Sequence, residues 1–258
     1  MPKPIVQVYE IQTPDEARAM IEIGVDYVGS VLTSVDTRHD PVIRETVDVV
    51  RRLGAISSLI PLYADKEAVF DTIEWYQPHI IHFCDRLQNP DGPAVEAAIA
   101  LQEAVKIRFP EVKITRSIPI ERSAGANEQF ILKVADRLEP FCDYFLTDTV
   151  MDGTADTVDG NQPVAGFVGI TGLTCDWSVA AQLVARSRIP VILAGGISPE
   201  NVAEGIRQVK PFGVDSCTCT NAVDDYGRPI RFKKDPARVE ALVKQVRRSD
   251  GRQPVKAD

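Results

Sequence analysis

The chain has 258 residues, close to the usual length of a (β/α)8 barrel and enough for a large hydrophobic core. Hydrophobic residues make up 44% and charged residues 26%, the balance of a globular chain. The formal net charge of −8 disfavours nonspecific binding to nucleic acid or to an anionic membrane, and the longest apolar runs are strand-sized, too short for a membrane span. The start, Met1-Pro-Lys-Pro4, lacks the basic-then-apolar shape of a secretory signal. The 5 cysteines are odd in number and scattered, so a cytoplasmic, reducing compartment is expected.

In chain order, Ile5 to Val8 reads as a short strand. Thr13-Pro-Asp-Glu16 opens a helix with a capping hydroxyl, a proline at the first position and two acids in the first turn. Gly24 ends it, and Val25 to Leu32 is the second strand. Glu45 to Leu53 is helical. Ser58 to Tyr63 and Ile80 to Phe83 are strands three and four, with a helix from Lys66 to Trp75 between them. A helix from Ala94 to Ile107, a strand from Val112 to Ile118 and a helix from Asn127 to Leu138 follow. Tyr144 to Thr147 is strand six. A loop rich in Gly, Asp and Thr runs from Asp148 to Thr174; within it Met151 to Gly172 is a candidate lid, or a surface insertion. Asp176 caps a helix to about Ala185.

The last third carries the strongest signals. The apolar run Pro190 to Ala194 stops at Gly195-Gly196, where backbone N–H groups can approach a ligand closely. A helix start is expected next, with Ser198 as cap, Pro199 at the first position and Glu200 in the first turn. A strand ending in glycines beside a helix N-terminus suits a phosphate. Gly213 to Ser216 is strand eight, with a polar exit, and Pro236 to Val246 is the last helix. Strands thus alternate with helices at about 30 residues per unit, which argues a parallel sheet with helical crossovers. The expected fold is a single (β/α)8 barrel over residues 1–246, with a polar tail at 247–258. An open doubly wound sheet is the alternative, but no G-x-G-x-x-G follows the first strand.

Several stretches then resemble one family. Ala194-Gly-Gly-Ile-Ser-Pro-Glu-Asn-Val202, Val209-Lys-Pro-Phe-Gly-Val-Asp215 and Lys234-Asp-Pro236 resemble the C-terminal third of phosphoribosylanthranilate isomerase. Gly169-Ile-Thr-Gly-Leu-Thr-Cys-Asp-Trp177 is similar to the family's Gly-Gly-Thr-Gly-x-x-x-Asp-Trp loop, Tyr144-Phe-Leu-Thr-Asp148 to its Leu-Leu-Asp on strand six, and Tyr27-Val-Gly29 through Arg38 to its second strand and following loop. The resemblance implies a barrel that performs an Amadori rearrangement, turning a phosphorylated aminoribose into a 1-amino-2-ketose. It implies an enzyme of tryptophan biosynthesis with a phosphorylated substrate, no cofactor, no metal, no nucleic-acid or membrane partner, and a possible homodimer. An acid protonates the ring oxygen and a base removes a proton from the adjacent carbon. Asp148 takes the acid's place, Arg38 that of the arginine facing the aromatic carboxylate, and Gly172, Gly195, Gly196 and the strand-eight exit Asp215, Ser216 and Cys217 those of the phosphate loops.

The departures lie on strands one, four and eight. The family's Lys-Ile-Cys-Gly reads Gln7-Val8-Tyr9-Glu10 here, so Tyr9 stands where the basic thiol is expected. A phenol with pKa near 10 is ionised about one part in a thousand at pH 7. Tyr9 is therefore a hydrogen-bonding pocket residue, a plug or an unusual base. Glu10 is a candidate replacement base, because desolvation can raise a carboxylate's pKa. Cys84, at the end of strand four, is a second candidate or an inert buried thiol. If strand one continues, only one of Tyr9 and Glu10 can point into the barrel mouth. The alternatives to the isomerase are a divergent phosphosugar barrel acting as an epimerase or lyase, and a catalytically silent barrel that binds a phosphate metabolite.

Overall fold

The computed structural model describes residues 3–87, 89–122, 128–150, 166–169 and 171–249. Strands β1 (Ile5–Val8), β2 (Tyr27–Leu32), β3 (Ile56–Pro61), β4 (Ile80–Phe83), β5 (Lys113–Glu121), β6 (Tyr144–Val150), β7 (Val191–Leu193) and β8 (Gly213–Ser216) form a closed parallel barrel in chain order. Closure is made where Gln7 of β1 lies beside Asp215 of β8 and Val8 beside Ser216. The strands are apolar on both faces because helices cover the outside and side chains fill the inside. Outward residues such as Val6, Val8, Val28, Phe145 and Val214 pack under the helices. Inward residues such as Ile60, Leu146 and Ile192 belong to a separate interior cluster.

The surrounding helices are α1 (Pro14–Ile23), α2 (Pro41–Arg52), α3 (Lys66–Tyr76), α4 (Pro93–Arg108), α5 (Glu128–Leu138), α6 (Trp177–Arg186), α7 (Val202–Val209) and α8 (Pro236–Arg248). Their starts follow local chemistry. The Thr13 hydroxyl accepts from the Glu16 amide at 3.3 Å, and Gly24 closes α1 in the left-handed region at φ 105°. Asp235 caps α8 by accepting from the Ala237 amide at 2.9 Å. Among the described residues no helix is long and apolar enough to cross a membrane.

Some boundaries differ from those expected. Helix α2 starts at Pro41, ahead of Glu45, because Asp40 accepts from the amides of Val42 and Ile43 and supplies the cap. Helix α7 starts at Val202, not at Pro199. Ser198 does bond the Glu200 amide, but residues 199–201 form a turn, and the Asn201 side chain folds back onto Gly196 O and the Ser198 amide. Helix α8 extends to Arg248, so Arg247, expected in the tail, is anchored instead. Its guanidinium donates to Pro4 O, Gly24 O and Asp26, tying the last helix to the floor of the barrel. Between β8 and α8 lies an antiparallel hairpin beyond the eight expected strands, β9 (Asn221–Val223) and β10 (Pro229–Lys234). Asp224 shapes its turn, accepting from the amides of Tyr226 and Arg228 at 2.9 Å. The candidate lid falls largely outside the described residues. Its far end returns along strand four, where the Val168 amide donates to Cys84 O at 2.9 Å.

Candidate active site

A cavity opens at the carboxyl end of the barrel strands, the end at which such barrels place their chemistry. One wall is apolar, formed by Val31, Ile60, Leu62, Leu146 and Val168. Another part of the lining is glycine-rich backbone from Gly172, Gly195 and Gly196, beside the strand-eight exit. The charged residues that line it are Glu10, Asp148, Asp215 and Arg231.

Tyr9 forms part of the cavity floor and is 3% exposed. Its ring lies across Gly29, where a β-carbon would fall 2.0 Å from Cδ1. Its hydroxyl shares hydrogen bonds with Ser58 Oγ at 2.6 Å and His82 Nδ1 at 2.7 Å, and His82 Nε2 meets Ser117 Oγ at 2.9 Å. Burial pushes the Tyr9 phenol well above its ordinary pKa. Burial, with the nearby charge of Arg116, lowers His82 to about 3. Both groups are therefore neutral partners in a buried polar chain.

Glu10 follows at φ 67°, a left-handed conformation that strains a non-glycine residue. Strand one ends at Val8, so the strict alternation that would have let only one of them face the cavity does not extend to these residues, and Tyr9 and Glu10 both line it. Glu10 is 1% exposed and fully engaged. Arg231 Nε donates to its Oε1 at 2.6 Å, and Asn221 Nδ2 and the Phe232 amide donate to its Oε2 at 3.3 Å. Burial opposes its ionisation, but the charges of Lys234 and Arg231 outweigh that and hold the carboxyl below its usual value. Cys84 is buried in the cavity wall; burial, reinforced by the charges of Asp148 and Asp85, pushes its thiol far up.

The two aspartates behave differently from Glu10. Asp148, on β6, accepts from the Thr149 amide at 2.8 Å and lies against Gly169, where a β-carbon would come within 2.6 Å of Oδ2. Burial pushes it up to about 7 despite that amide. Asp215, on β8, accepts from Gln7 Nε2 at 3.2 Å. Burial also pushes Asp215 to about 7; the Gln7 bond opposes the rise, the Asp148 charge adds to it and Lys234 opposes it.

The glycine wall is built by two interleaved loops. Thr149 Oγ1 donates to Leu173 O at 2.7 Å, and Thr147 Oγ1 donates to Ala194 O at 3.0 Å, so β6 holds both loops in place. Gly195 and Gly196 sit at φ 85° and 58°, and a β-carbon on Gly196 would lie 2.5 Å from the Leu173 carbonyl carbon. Thr218 Oγ1, beside Gly172, is buried with no hydrogen-bond partner among the described residues. Cys217 lines the cavity, and its carbonyl accepts from Lys234 Nζ at 2.8 Å.

Two expected residues lie elsewhere. Ser216 points out of the cavity and donates to Ile197 O at 2.6 Å, as strand alternation beside an inward Asp215 requires. Arg38 is not among the lining residues. Its Nε donates to Asp71 of α3 at 2.5 Å, an exposed pair that raises the guanidinium's pKa and lowers that of the carboxyl. The cation that does line the cavity, Arg231, comes from the β9–β10 hairpin. Its only sequence signal is a short polar-apolar alternation after Tyr226-Gly227.

Comparison with solved structures agrees with the barrel fold. Residues 122–245 match the family model for N-(5'phosphoribosyl)anthranilate (PRA) isomerase. The N-(5'-phosphoribosyl)anthranilate isomerase of Methanothrix thermoacetophila is 43% identical over 232 residues, covering 90% of this chain and 92% of that protein. Among solved structures, the enzyme of Pyrococcus furiosus has a TM-score of 0.64 at 20% identity, covering 95% of this chain and 99% of that one. Monomers generated from the dimeric enzyme of Thermotoga maritima have a TM-score of 0.60 at 20% identity, covering 95% and 98%. The barrel, the cavity lined by glycines and an aspartate, and a near-full-length relative at this identity together place the chain in the phosphoribosylanthranilate isomerase family.

Proposed function

We propose that this protein isomerises N-(5'-phosphoribosyl)anthranilate to the corresponding 1-amino-1-deoxyribulose 5-phosphate, a step of tryptophan biosynthesis. The observation that carries the reading is Asp148. It is a carboxyl lining the cavity together with backbone that carries left-handed glycines, and burial raises its pKa to about 7. A phosphate fits the amide-rich wall of Gly172, Gly195 and Gly196, where the Thr218 hydroxyl, unpartnered among the described residues, has a hydrogen bond to give. The aromatic ring fits the apolar wall of Val31, Ile60, Leu62, Leu146 and Val168. The ribose then spans the distance between, and Asp148 protonates its ring oxygen as the C1'–O bond opens. Ser216 and Arg38 have no part in this assignment. Cytoplasmic action and the dimeric state described for the Thermotoga maritima enzyme belong to the same proposal, the latter checked by light scattering.

Purified protein given phosphoribosylanthranilate tests the reading through the loss of substrate fluorescence. Turnover in the parent protein and its loss in Asp148→Asn are expected. Phosphate binding without turnover would leave a silent barrel instead.

A further inference from the structure

The isomerisation needs a base as well as an acid, and the groups that the sequence offers for that task are committed elsewhere. The Tyr9 hydroxyl is shared between Ser58 and His82. Both oxygens of Glu10 are taken up by Arg231, Asn221 and the Phe232 amide. Burial disfavours the thiolates of Cys84 and Cys217, with Asp148 and Asp85 adding to it at Cys84 and Glu10 and Asp215 adding to it at Cys217 against the opposing Lys234 charge; burial also raises Cys219, whose Sγ donates to Gly172 O at 3.7 Å. His82 is bonded through both ring nitrogens.

Among the described residues one acidic lining group remains besides Glu10 and Asp148, and it lies beside strand one. We propose that Asp215 is the proton acceptor of the reaction, paired with Asp148 as the donor, in place of the thiol that Tyr9 displaces. This rests on the isomerase reading above and goes beyond it by assigning the base. Asp215 sits on β8 in register with Gln7 of β1. Tyr9, two residues on from Gln7, occupies the thiol's place. Asp148 stands on β6, so the two carboxyls flank β7 and its Gly195-Gly196 exit. Asp215 is 6% exposed and opens only into the cavity. Gln7 Nε2 holds one of its oxygens, while Gln7 Oε1 is buried with no hydrogen-bond partner among the described residues. Charged and titratable groups that act on Asp215 come from several elements: Tyr9 just after β1, Asp148 on β6, Lys234 on β10 and Cys217 just after β8.

The division of roles follows from those neighbours. Two interacting carboxyls with values near 7 share protons as a pair, so at neutral pH the pair holds about one. The Gln7 donor and the Lys234 charge favour the ionised form of Asp215, whereas Asp148 has a single backbone amide to do so. On the isomerase reading Asp148 takes the donor's role, and Asp215, with the Gln7 donor and the Lys234 charge beside it, takes the acceptor's. In the reaction Asp148 gives a proton to the ring oxygen, the C1'–O bond breaks, and the nitrogen lone pair forms an iminium at C1'. Asp215 removes the C2' proton, and the C–H electrons form the C1'–C2' double bond as the iminium electrons return to nitrogen. Asp148 then takes back a proton from the C2' hydroxyl, and Asp215 delivers its proton to C1', leaving the ketone. Both residues return to their starting states and no other reactant is needed.

The test compares the parent with Asp215→Asn and Gln7→Leu, following kcat/KM against pH, exchange of the C2' proton in deuterated water, and binding of the reduced, unreactive form of the product. Asp215→Asn is expected to lose about 10²- to 10⁴-fold in kcat. It should also lose the acidic limb of the pH profile and the C2' exchange, yet bind the reduced product within a few-fold of the parent. Gln7→Leu removes a donor to the ionised carboxylate, so it should remain active with its acidic limb displaced to higher pH. If Asp215→Asn does not fold, that displacement decides the matter alone: an unmoved limb overturns the assignment. Parent turnover with an unimpaired Asp215→Asn also overturns it, while the isomerase reading survives. No turnover in the parent removes both.

Discussion

Gly29 and Tyr9 are matched in shape: a β-carbon on Gly29 would lie 2.0 Å from Cδ1 and 2.3 Å from Cε1 of the Tyr9 ring. The ring that fills the place of the expected thiol is thus accommodated by the neighbouring strand, and its hydroxyl completes a buried chain with Ser58, His82 and Ser117. Gly29→Ala overpacks this contact and should cost about 1–3 kcal/mol. Tyr9→Cys empties the space and should cost about 3 kcal/mol. The double variant should be more stable than the sum of the two predicts, because the new methyl occupies part of the vacated volume. Urea unfolding of the four proteins measures this; strict additivity would mean that the two residues do not touch. Tyr9→Phe keeps the ring and leaves His82 and Ser58 without the phenol. It should cost about 1–3 kcal/mol in stability while leaving kcat close to that of the parent.

The two cavity aspartates make native stability fall as pH rises. Both carboxyls titrate at about 7 in the folded protein, against about 3.9 in an unfolded chain. The folded state binds more protons between those values. Their contribution is therefore fully present below about pH 4 and lost as pH rises through about 7. Asp148→Asn and Asp215→Asn should each gain on the parent between pH 5 and pH 8. The gain is up to about 1.4 kcal/mol for every tenfold difference in proton affinity between the folded and the unfolded carboxyl. Urea midpoints at the two pH values check it. An unchanged difference between parent and variant would show that neither carboxyl is desolvated.

Glu10 has the opposite sign. Its folded value is depressed, so its contribution is present above the unfolded value of about 4.3 and disappears as pH falls through the folded value. Arg231→Met breaks the pair of a carboxyl that is 1% exposed, and should cost about 3–5 kcal/mol at pH 7. It also lets the Glu10 value rise, so part of the penalty should vanish between pH 7 and pH 4 as the lone carboxyl protonates. A penalty that stays constant over that range would mean Arg231 contributes through packing alone. Glu10→Gly relieves the strain at φ 67°, worth about 1–3 kcal/mol. It should still be destabilising overall, because Arg231 and Lys234 lose their shared counter-charge.

The parts of the molecule legible in the sequence are those set by short-range chemistry. Thr13-Pro14, Asp176 and Asp235-Pro236 mark helix starts because a side chain and an amide two or three residues on satisfy each other. The Gly195-Gly196 exit is legible because glycines stop an apolar run, whereas Asp148 is marked by its resemblance to the family's strand-six aspartate. Arg231 is not, since its partner Glu10 is 221 positions away and meets it only once the barrel closes. The hairpin that carries Arg231 is hidden by a three-residue strand and by Phe232 at φ 57°, which breaks the two-residue period. Arg38 misleads because matching its distance from Gly29 says nothing of Asp71, which holds it outside the cavity wall. Asp215, Ser216 and Cys217 read in sequence as one anion-binding stretch. Alternation along β8 separates them: Asp215 faces the cavity and Ser216 the carbonyl of Ile197.

The glycine wall yields the last prediction. Gly196 combines φ 58° with a backbone approach in which an added β-carbon would sit 2.5 Å from Leu173 C and 2.6 Å from Thr174 N. No side-chain rotation relieves such a clash, because the obstructing atoms are backbone. Gly195 differs: its β-carbon would meet Thr149 Oγ1 at 2.2 Å, and a side chain can turn away. Doing so breaks the Thr149 bond to Leu173 O, which fixes the neighbouring loop. Gly196→Ala should therefore displace the segment at 173–174, cost about 1–3 kcal/mol and weaken inorganic phosphate binding at least tenfold. Gly195→Ala should be milder in stability. Thr149→Val should reproduce much of its effect on phosphate, since both free the same loop. Phosphate titration by calorimetry alongside urea unfolding separates the two glycines. Equal phosphate affinity in the parent and Gly196→Ala would show that the anion does not rest on this backbone.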